Sequence, residues 1–306
     1  VFGSGTQIGT ANYVVYSGTG TSVVVSNLLP GVTYHFRVFE FNGSGNAANY
    51  ITNTAVGNPA SRATAAFGLA YDEFDDFGGT GQLTPDKDGG GSGWTNEWSQ
   101  NFDVQVVSGG NMPPFKCYPR GASSEIVSMS NDGNTHDMRR GFGKRTSGRI
   151  YAAYIVNMAA GGVNTFAGLS FFNGTVETGY FGKVYGSSSN VLGVQHGTTN
   201  EVRSNYVFGL GSGNDYLVAG MYDFETDTLY AKAYTTNFFA FVDPTAVDQW
   251  DVKMTNVVID AIDSVRLAKQ STGLTYFDEV RVGSTWEQVM ITSGVDPNKR
   301  LASSLK

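Results

Sequence analysis

Short runs of β-branched and aromatic residues, separated by turns rich in Gly, Asn, Ser and Asp, recur along most of the chain. In the larger part these runs lie at residues 149–157, 165–172, 179–185, 191–195, 215–223, 228–234, 263–268 and 275–282. Short strands with frequent turns are typical of antiparallel sandwiches and jelly rolls. Helix is predicted only as one turn at 285–290. The sequence therefore predicts an all-β fold.

The chain divides by pattern into a smaller and a larger module. It has 306 residues, enough for about two domains with separate cores. The pattern predicts a small sandwich-like module of short strands at residues 1–65. It predicts a larger antiparallel jelly-roll β-sandwich at residues 66–290. Residues 291–306 contain Gly294 and Pro297 and predict a linker or tail.

Composition and charge exclude several classes of function. The 20 basic and 27 acidic residues give a net charge of −7, which argues against a nucleic-acid partner. No apolar run is long enough to insert into a membrane. The single Cys117 cannot form an internal disulfide, and His35, His136 and His196 are too far apart for a short-spaced zinc motif. Abundant Gly, Ser, Thr and Asn suit a secreted or cell-surface protein.

The smaller module carries a partial family resemblance. Segments 28–34 and 36–43 resemble the second half of a fibronectin type III domain. The resemblance implies that Tyr34 makes a corner hydrogen bond and that Asn42-Gly43 leads into a last strand near 50–56. Only the later strands of the expected sandwich are matched, and half a sandwich cannot bury both inner faces. We therefore predict a fragment of a longer protein, or a partner that supplies the absent strands.

The larger module resembles the concanavalin A-like, laminin G-like jelly rolls of large bacterial surface proteins. The resemblance lies in segments 71–78 with 89–98, 166–172 with 180–183, and 274–286. It implies that these segments form the first strand and its loop, a core hairpin and the closing strand. It also implies that the first and last strands pair. Jelly rolls include lectins, calcium-binding modules, hydrolases and inert spacers, so the resemblance leaves function open.

A glycosidase would need two carboxyls on one face, about 5–9 Å apart. The nearest match to the alternating acidic signature of laminarinase-type enzymes is Asp223-Phe-Glu-Thr-Asp227, with its residue types inverted. Two predicted strands, 215–222 and 228–234, meet at this segment. Asp and Thr at such positions cap the backbone of a turn. We therefore predict a hairpin turn here and a protein that is not an enzyme.

Two acidic clusters are candidates for a structural calcium site. The predicted ligands are Asp72, Glu73, Asp75, Asp278 and Glu279. Pairing of the first and last strands would bring these carboxylates together, and calcium prefers such oxygen ligands. Alternatively, Arg266 and Arg281 neutralise the acids without metal, or Asp72 and Asp278 only cap strand ends. A calcium site predicts a melting temperature that rises with calcium and falls with a chelator.

Aromatic residues in loops suggest a carbohydrate site, because sugars stack on exposed rings and bond to neighbouring polar groups. The predicted ligand-binding residues are Trp94, Trp98, Asn96, Tyr118, Tyr180 and Tyr185. The alternative, which we favour for Trp94 and Trp98, is that both rings cover an open end of the sandwich. Trp250 and Trp286 are predicted in the core or at a sheet edge.

One basic run interrupts the acidic chain. Residues 138–145 contain four Lys and Arg residues in eight positions. We interpret the run as a solvated loop or as a patch that pairs with local acids.

Together these features predict a non-catalytic, extracellular, modular protein that serves adhesion or binds carbohydrate or another surface polymer on a bacterial surface. Two alternatives stay open. One is a polysaccharide-active enzyme or its accessory module. The other is a structural subunit of a surface filament, in which strands pair with copies of the chain or with neighbouring modules.

Overall fold

The fold is taken from a computed structural model of the chain. It describes residues 6–7, 12–20, 22–23, 25, 33–43, 47–51, 53, 56–63, 68–72, 74, 80–83, 90–108, 125–130, 132–161, 164–186, 190–197, 200–211, 214–235 and 244–290. The chain divides into two compact units, one of Val1–Phe67 with Val295–Lys306 and one of Gly68–Gly294. The predicted all-β jelly-roll sandwich is confirmed. In the described part of the chain, no helix has the length and apolar character needed to cross a bilayer.

The smaller unit contains two short antiparallel ladders. They join β1 (Thr33–Phe36) to β4 (Ala60–Ala63), and β2 (Phe41–Asn42) to β3 (Asn49–Tyr50). Tyr34 in β1 is buried, whereas Val38, beyond the end of β1, is exposed. Near the last strand predicted at 50–56, the described residues form a strand only in β3. The strand that pairs with β1 is β4, which lies further along the chain. The resemblance to a fibronectin type III domain stays a prediction.

The larger unit packs two antiparallel sheets face to face. The seven-stranded sheet contains, in spatial order, β15 (Asn200–Val207), β14 (Val191–His196), β13 (Val176–Lys183), β12 (Phe166–Asn173), β19 (Ile262–Gln270), β10 (Thr135–Arg145) and β7 (Ser99–Asn101). The nine-stranded sheet contains β18 (Val252–Met254), β17 (Thr228–Thr235), β16 (Asp215–Asp223), β11 (Arg149–Met158), β20 (Thr275–Gly283), β9 (Glu125–Met129), β8 (Val104–Ser108) and β6 (Gly81–Gln82), and β5 (Ala70–Asp72) also pairs with β20. Two single-turn helices, α1 (Pro244–Val247) and α2 (Trp286–Val289), complete the described elements.

The core between the sheets follows from side-chain alternation. In β10, His136, Met138, Arg140 and Phe142 are buried, and the residues between them are only half-buried. Successive side chains of a strand point to opposite faces, so one face of β10 lines the core and the other faces outward. The same core receives rings such as Phe181 and aliphatic side chains from both sheets.

The first and last strands of the larger unit pair, as predicted. Asp72 of β5 lies opposite Val280 of β20, and Tyr71 lies opposite Arg281. The backbone N–H of Leu69 extends this ladder by donating to the carbonyl of Val282 at 2.6 Å. The two ends of the unit therefore meet in the middle of the nine-stranded sheet.

The outer faces of the two sheets differ in chemistry. On the nine-stranded sheet, Tyr151, Leu217 and neighbouring apolar residues form a second cluster beneath Trp286 and Val289 of α2. Trp250 packs against Trp286 with ring centroids 5.8 Å apart, so the prediction for both tryptophans is confirmed. On the seven-stranded sheet, the outward residues of β10 and β19 include arginines and aspartates instead. A binding site for a polar ligand is therefore expected on the outer face of the seven-stranded sheet.

Besides the three-residue β7, two long strands of the seven-stranded sheet were missed from the sequence. β10 contains the basic run 138–145, so the prediction of a solvated loop there is wrong, whereas its pairing with an acid is confirmed by Arg140 and Asp72. β15 was also missed, because its side chains are polar and largely exposed on both faces. Neither strand shows the apolar runs by which strands are recognised in a sequence.

Candidate functional site

A pocket with polar walls opens on the outer face of the seven-stranded sheet. It has a volume of about 350 Å³ and is lined by Thr95, Asn96, Ser99, Arg139, Gly141, Gly143, Asp263 and Ser264. We call these residues the polar pocket. Its volume falls in the range of sites that hold small molecules. The lining combines hydroxyl, amide, carboxylate and guanidinium groups, which together supply both donors and acceptors.

A β-bulge between β10 and β19 creates the floor of the polar pocket. Gly141 pairs with Ser264 and Arg145 pairs with Ile262, so three residues of β10 lie opposite Asp263 alone. Gly143 within the bulge has a φ of 94°, a left-handed conformation that favours glycine. Bulges often lie beside functional sites, where they redirect a strand. Here the bulge leaves backbone, rather than side chains, at the base of the pocket.

The loop of residues 90–98, here called the Trp loop, forms one wall. The N–H of Thr95 donates to the carbonyl of Gly141 at 2.8 Å, and the N–H of Gly141 donates to Oδ1 of Asn96 at 2.7 Å. A Cβ at position 141 would lie 2.7 Å from the side-chain oxygens of both Thr95 and Asn96. Glycine at 141 therefore allows the wall to approach the sheet closely.

The opposite wall is a hydrogen-bonded group of charged and hydroxyl side chains. Oγ of Ser264 donates to Oδ1 of Asp263 at 2.7 Å and accepts from Nε of Arg139 at 3.0 Å. Oδ2 of Asp263 accepts from the N–H of Gly174 at 2.8 Å. Arg139 also bonds to the carbonyl of Gly174. Each side chain is thus fixed by the neighbouring strands before any ligand arrives.

The charged surface continues across the sheet beyond the pocket. The guanidinium groups of Arg139 and Arg266 lie 4.3 Å and 4.9 Å from the ring centroid of Phe172. Arg266 donates to Glu177 at 2.9 Å. Partial burial raises the pKa of Asp137 above its usual value, although the nearby Arg266 opposes that shift. The outer face is therefore a network of balanced charges rather than an apolar surface.

In the acidic cluster predicted at the first strand, Asp72 accepts hydrogen bonds from donors of the protein itself. Asp72 is fully buried, and its Oδ2 accepts from Nη1 of Arg140 at 2.7 Å and from Nε1 of Trp98 at 2.7 Å. Arg140 also donates to the carbonyls of Gly90 and Asn96. We call Asp72, Arg140 and Trp98 the buried anchor. It attaches the Trp loop to the first strand.

The predicted calcium ligands of the closing strand are arranged in a similar way. Glu279 accepts from Nη2 of the buried Arg281 at 2.8 Å, and Asp278 accepts from the N–H of Glu279. Within the described residues, no group of three or more His, Cys, Asp or Glu side chains could hold a metal ion. Glu73 and Asp75 lie outside the described residues. Calcium at these acids therefore stays a prediction; Arg281 pairs with Glu279, as in the alternative without metal, whereas Arg266 pairs with Glu177 instead.

The predicted aromatic site is not assembled. Trp98 is 3% exposed and Tyr180 is 5% exposed, so neither ring can stack on a sugar, and that prediction is wrong for both. Trp94 is half-buried, donates to the carbonyl of Tyr71 at 2.9 Å and packs against Trp98, in agreement with a covering role. Tyr185 is 47% exposed but does not line the polar pocket.

Of the remaining predicted residues, Tyr118 lies outside the described residues and Asn96 lines the polar pocket. Arg139, Asp263 and Ser264 were missed because the register of β10 and β19 brings together residues far apart in sequence. One signal was available. Two glycines two positions apart within a strand indicate a bulge or a close approach, and Gly141 and Gly143 have that spacing.

The acidic segment 223–227 forms the hairpin turn that was predicted. Asp223 ends β16 and accepts from the N–H of Glu225 at 2.9 Å, and its other oxygen accepts from Arg149. Asp227 accepts from the hydroxyl of Tyr222 at 3.0 Å. These acids stabilise the turn, and none of them lines the polar pocket.

No family model matches the sequence, and no curated protein matches it. Among solved structures, the chain is similar to the globular domain of T. cruzi calreticulin, with 9% identity and a TM-score of 0.40 over 63% of this chain and 86% of that chain. It is similar to the exoplasmic/lumenal domain of VIP36 in its Ca²⁺/Man3GlcNAc-bound form, with 7% identity and a TM-score of 0.38 over 67% of this chain and 87% of that chain. It is also similar to a beta-1,3-glucanase from Mycobacterium marinum, with 16% identity and a TM-score of 0.37 over 70% of this chain and 98% of that chain.

Proposed function

We propose that the larger unit is a non-catalytic carbohydrate-binding module of an extracellular bacterial surface protein, and that a saccharide occupies the polar pocket. The observation that carries the proposal is the set of polar side chains that line a pocket of about 350 Å³ on an open sheet face. Adhesion to a surface polymer is the role we propose for such a module.

The lining suits the hydroxyl groups of a sugar. A hydroxyl both donates and accepts, so it needs acceptors such as Asp263 and donors such as Arg139 within one site. Both side chains are already held by Ser264 and Gly174. Groups that are fixed in advance lose little conformational entropy when a ligand binds. The pocket therefore favours polar ligands over flat apolar ones.

The proposed role for Asp263 is that of a hydrogen-bond acceptor. Its two oxygens accept from Ser264 and Gly174, and Arg139 lies 3.8 Å away. Both oxygens of Asp263 are therefore held in place as hydrogen-bond acceptors, which supports a role in binding.

We expect Asp263→Asn to weaken saccharide binding about tenfold, because a charged acceptor is replaced by a weaker neutral one. Isothermal titration against the best ligand from an array of β-glucans, alginates and carrageenans measures the change. Asp248→Asn is the matched control, since Asp248 is exposed and does not line the polar pocket. Unchanged affinity in Asp263→Asn, or equal losses in both variants, would contradict the proposal.

The proposed lack of catalysis has a separate test. We expect no new reducing ends when the protein is incubated with the same polysaccharides, and we expect Glu225→Gln to behave as the wild type does. Glu225 lies in the hairpin turn between β16 and β17 and does not line the polar pocket. Turnover by the wild type that disappears in Glu225→Gln would replace our proposal with that of a polysaccharide-active enzyme.

A further inference from the structure

The distribution of positive charge at the polar pocket points to the chemical class of its ligand. We propose that the polar pocket binds an acidic saccharide, whose carboxylate or sulfate groups contact Arg139 within the pocket and Lys144 and Arg145 further along β10. This inference rests on the proposed carbohydrate-binding function and narrows it from sugars in general to anionic ones.

The first observation is the position of the basic run. Gly141 and Gly143 form the pocket floor, and Lys144 and Arg145 follow them directly along β10. Both cations are exposed. Four of the chain's 20 basic residues, Arg139, Arg140, Lys144 and Arg145, lie within seven positions of this one strand. Lys144 and Arg145 do not line the pocket themselves but follow its floor along the strand, and exposed cations near a site attract anions during encounter.

The second observation is that these cations have N–H donors that form no hydrogen bond or ion pair within the described part of the protein. Within the part of the chain that the structure describes, neither Lys144 nor Arg145 forms an ion pair. Arg139 uses Nε and Nη2 for Ser264 and Gly174, and in the same described part its Nη1 donates no hydrogen bond. Arginine offers five N–H donors in a planar fork that suits carboxylate and sulfate oxygens. An anionic ligand group would use donors that the protein leaves free.

The third observation concerns the acid in the pocket wall. Asp263 would repel an anion if its charge faced the cavity without compensation. Its oxygens instead accept from Ser264 and from the N–H of Gly174, and Arg139 is 3.8 Å away. Further along the face, Glu177 pairs with Arg266. The charges of these acids are thus compensated by donors of the protein, whereas Lys144 and Arg145 have no acidic partner among the described residues.

The test compares matched ligands on the whole chain. An alginate oligosaccharide carries carboxylates, its carboxyl-reduced form has the same backbone without them, and a carrageenan oligosaccharide carries sulfates. Titration calorimetry measures each affinity for the wild type, for the double variant K144Q/R145Q, and for the control K253Q. Lys253 is an exposed lysine on β18, where it lies near Asp248 and outside the polar pocket.

We expect an acidic oligosaccharide to bind at least about fivefold more tightly than the reduced form, and we expect K144Q/R145Q to remove most of that difference. K253Q should retain it, and added salt should reduce it. A loss of affinity on carboxyl reduction of alginate identifies carboxylate as the group recognised, and a loss on desulfation of carrageenan identifies sulfate. Equal binding of charged and reduced forms would overturn this inference and leave the proposed function intact. Binding of no saccharide would overturn both.

Discussion

Replacing Asp72 with Ala should destabilise the larger unit by about 3–5 kcal/mol, the usual cost of removing one partner from a buried ion pair. The variant leaves the guanidinium of Arg140, which is only 6% exposed, without its carboxylate. Nε1 of Trp98 and the N–H of Phe74 lose the same acceptor. Unfolding in urea, followed by tryptophan fluorescence, measures the change in free energy.

Two further variants show whether the buried charge causes the loss. Asp248→Ala removes an exposed ion pair with Lys253 and should change stability little. The double variant D72L/R140M removes both charges of the buried anchor, so it should recover part of the stability lost in Asp72→Ala. A loss below about 1 kcal/mol in Asp72→Ala would show that Arg140 finds another partner, and would refute the role of the buried anchor.

Raising the pH from about 8 towards 10 should stabilise the protein, because Lys183 is a buried cation. Its side chain is 1% exposed, and burial lowers its pKa from 10.5 to about 8. Below pH 8 the lysine is protonated in both states, so the folded state carries the full cost of burying the charge. That cost disappears as the pH rises towards the unfolded pKa. The difference corresponds to about 3 kcal/mol in total.

The measurement is the urea unfolding free energy at several pH values up to about 9.5. The upper limit matters because burial also raises the pKa of Tyr154 and Tyr180, and such tyrosines destabilise the folded state once their unfolded forms ionise. Lys183→Met should flatten most of the rise. Burial likewise lowers the pKa of Lys269, which should account for the remainder. A flat profile in the wild type would contradict the assignment.

The central strands of the fold could be predicted from the sequence because their environment imposes a pattern. β11 and β16 are buried on both faces and are therefore almost continuously apolar or aromatic. β10 was not predicted because one of its buried positions is Arg140. The charge of Arg140 is compensated by Asp72, which lies 68 positions earlier in the sequence. A buried ion pair gives no apolar signal at either of its residues.

The candidate site could not be predicted because it depends on register. Arg139 and Asp263 approach each other only because β10 and β19 pair with a bulge at that level. Sequence spacing carries no information about such a pairing. The covering role favoured for Trp94 and Trp98 agrees with the structure. The sequence could not show that Asp72 supplies a buried acceptor for Trp98 and so holds its ring in the core.

The antiparallel pairing of β5 with β20 places the entry and exit of the larger unit side by side, at Ala70 and Val282. A module with neighbouring ends can be inserted into a surface loop of another protein, or have its ends joined and be reopened elsewhere, without separating its strands. The hairpin turn at residues 224–227 is a natural point for such a new opening. In evolution, the same geometry lets a gene segment encoding this unit move between host proteins as a self-contained cassette.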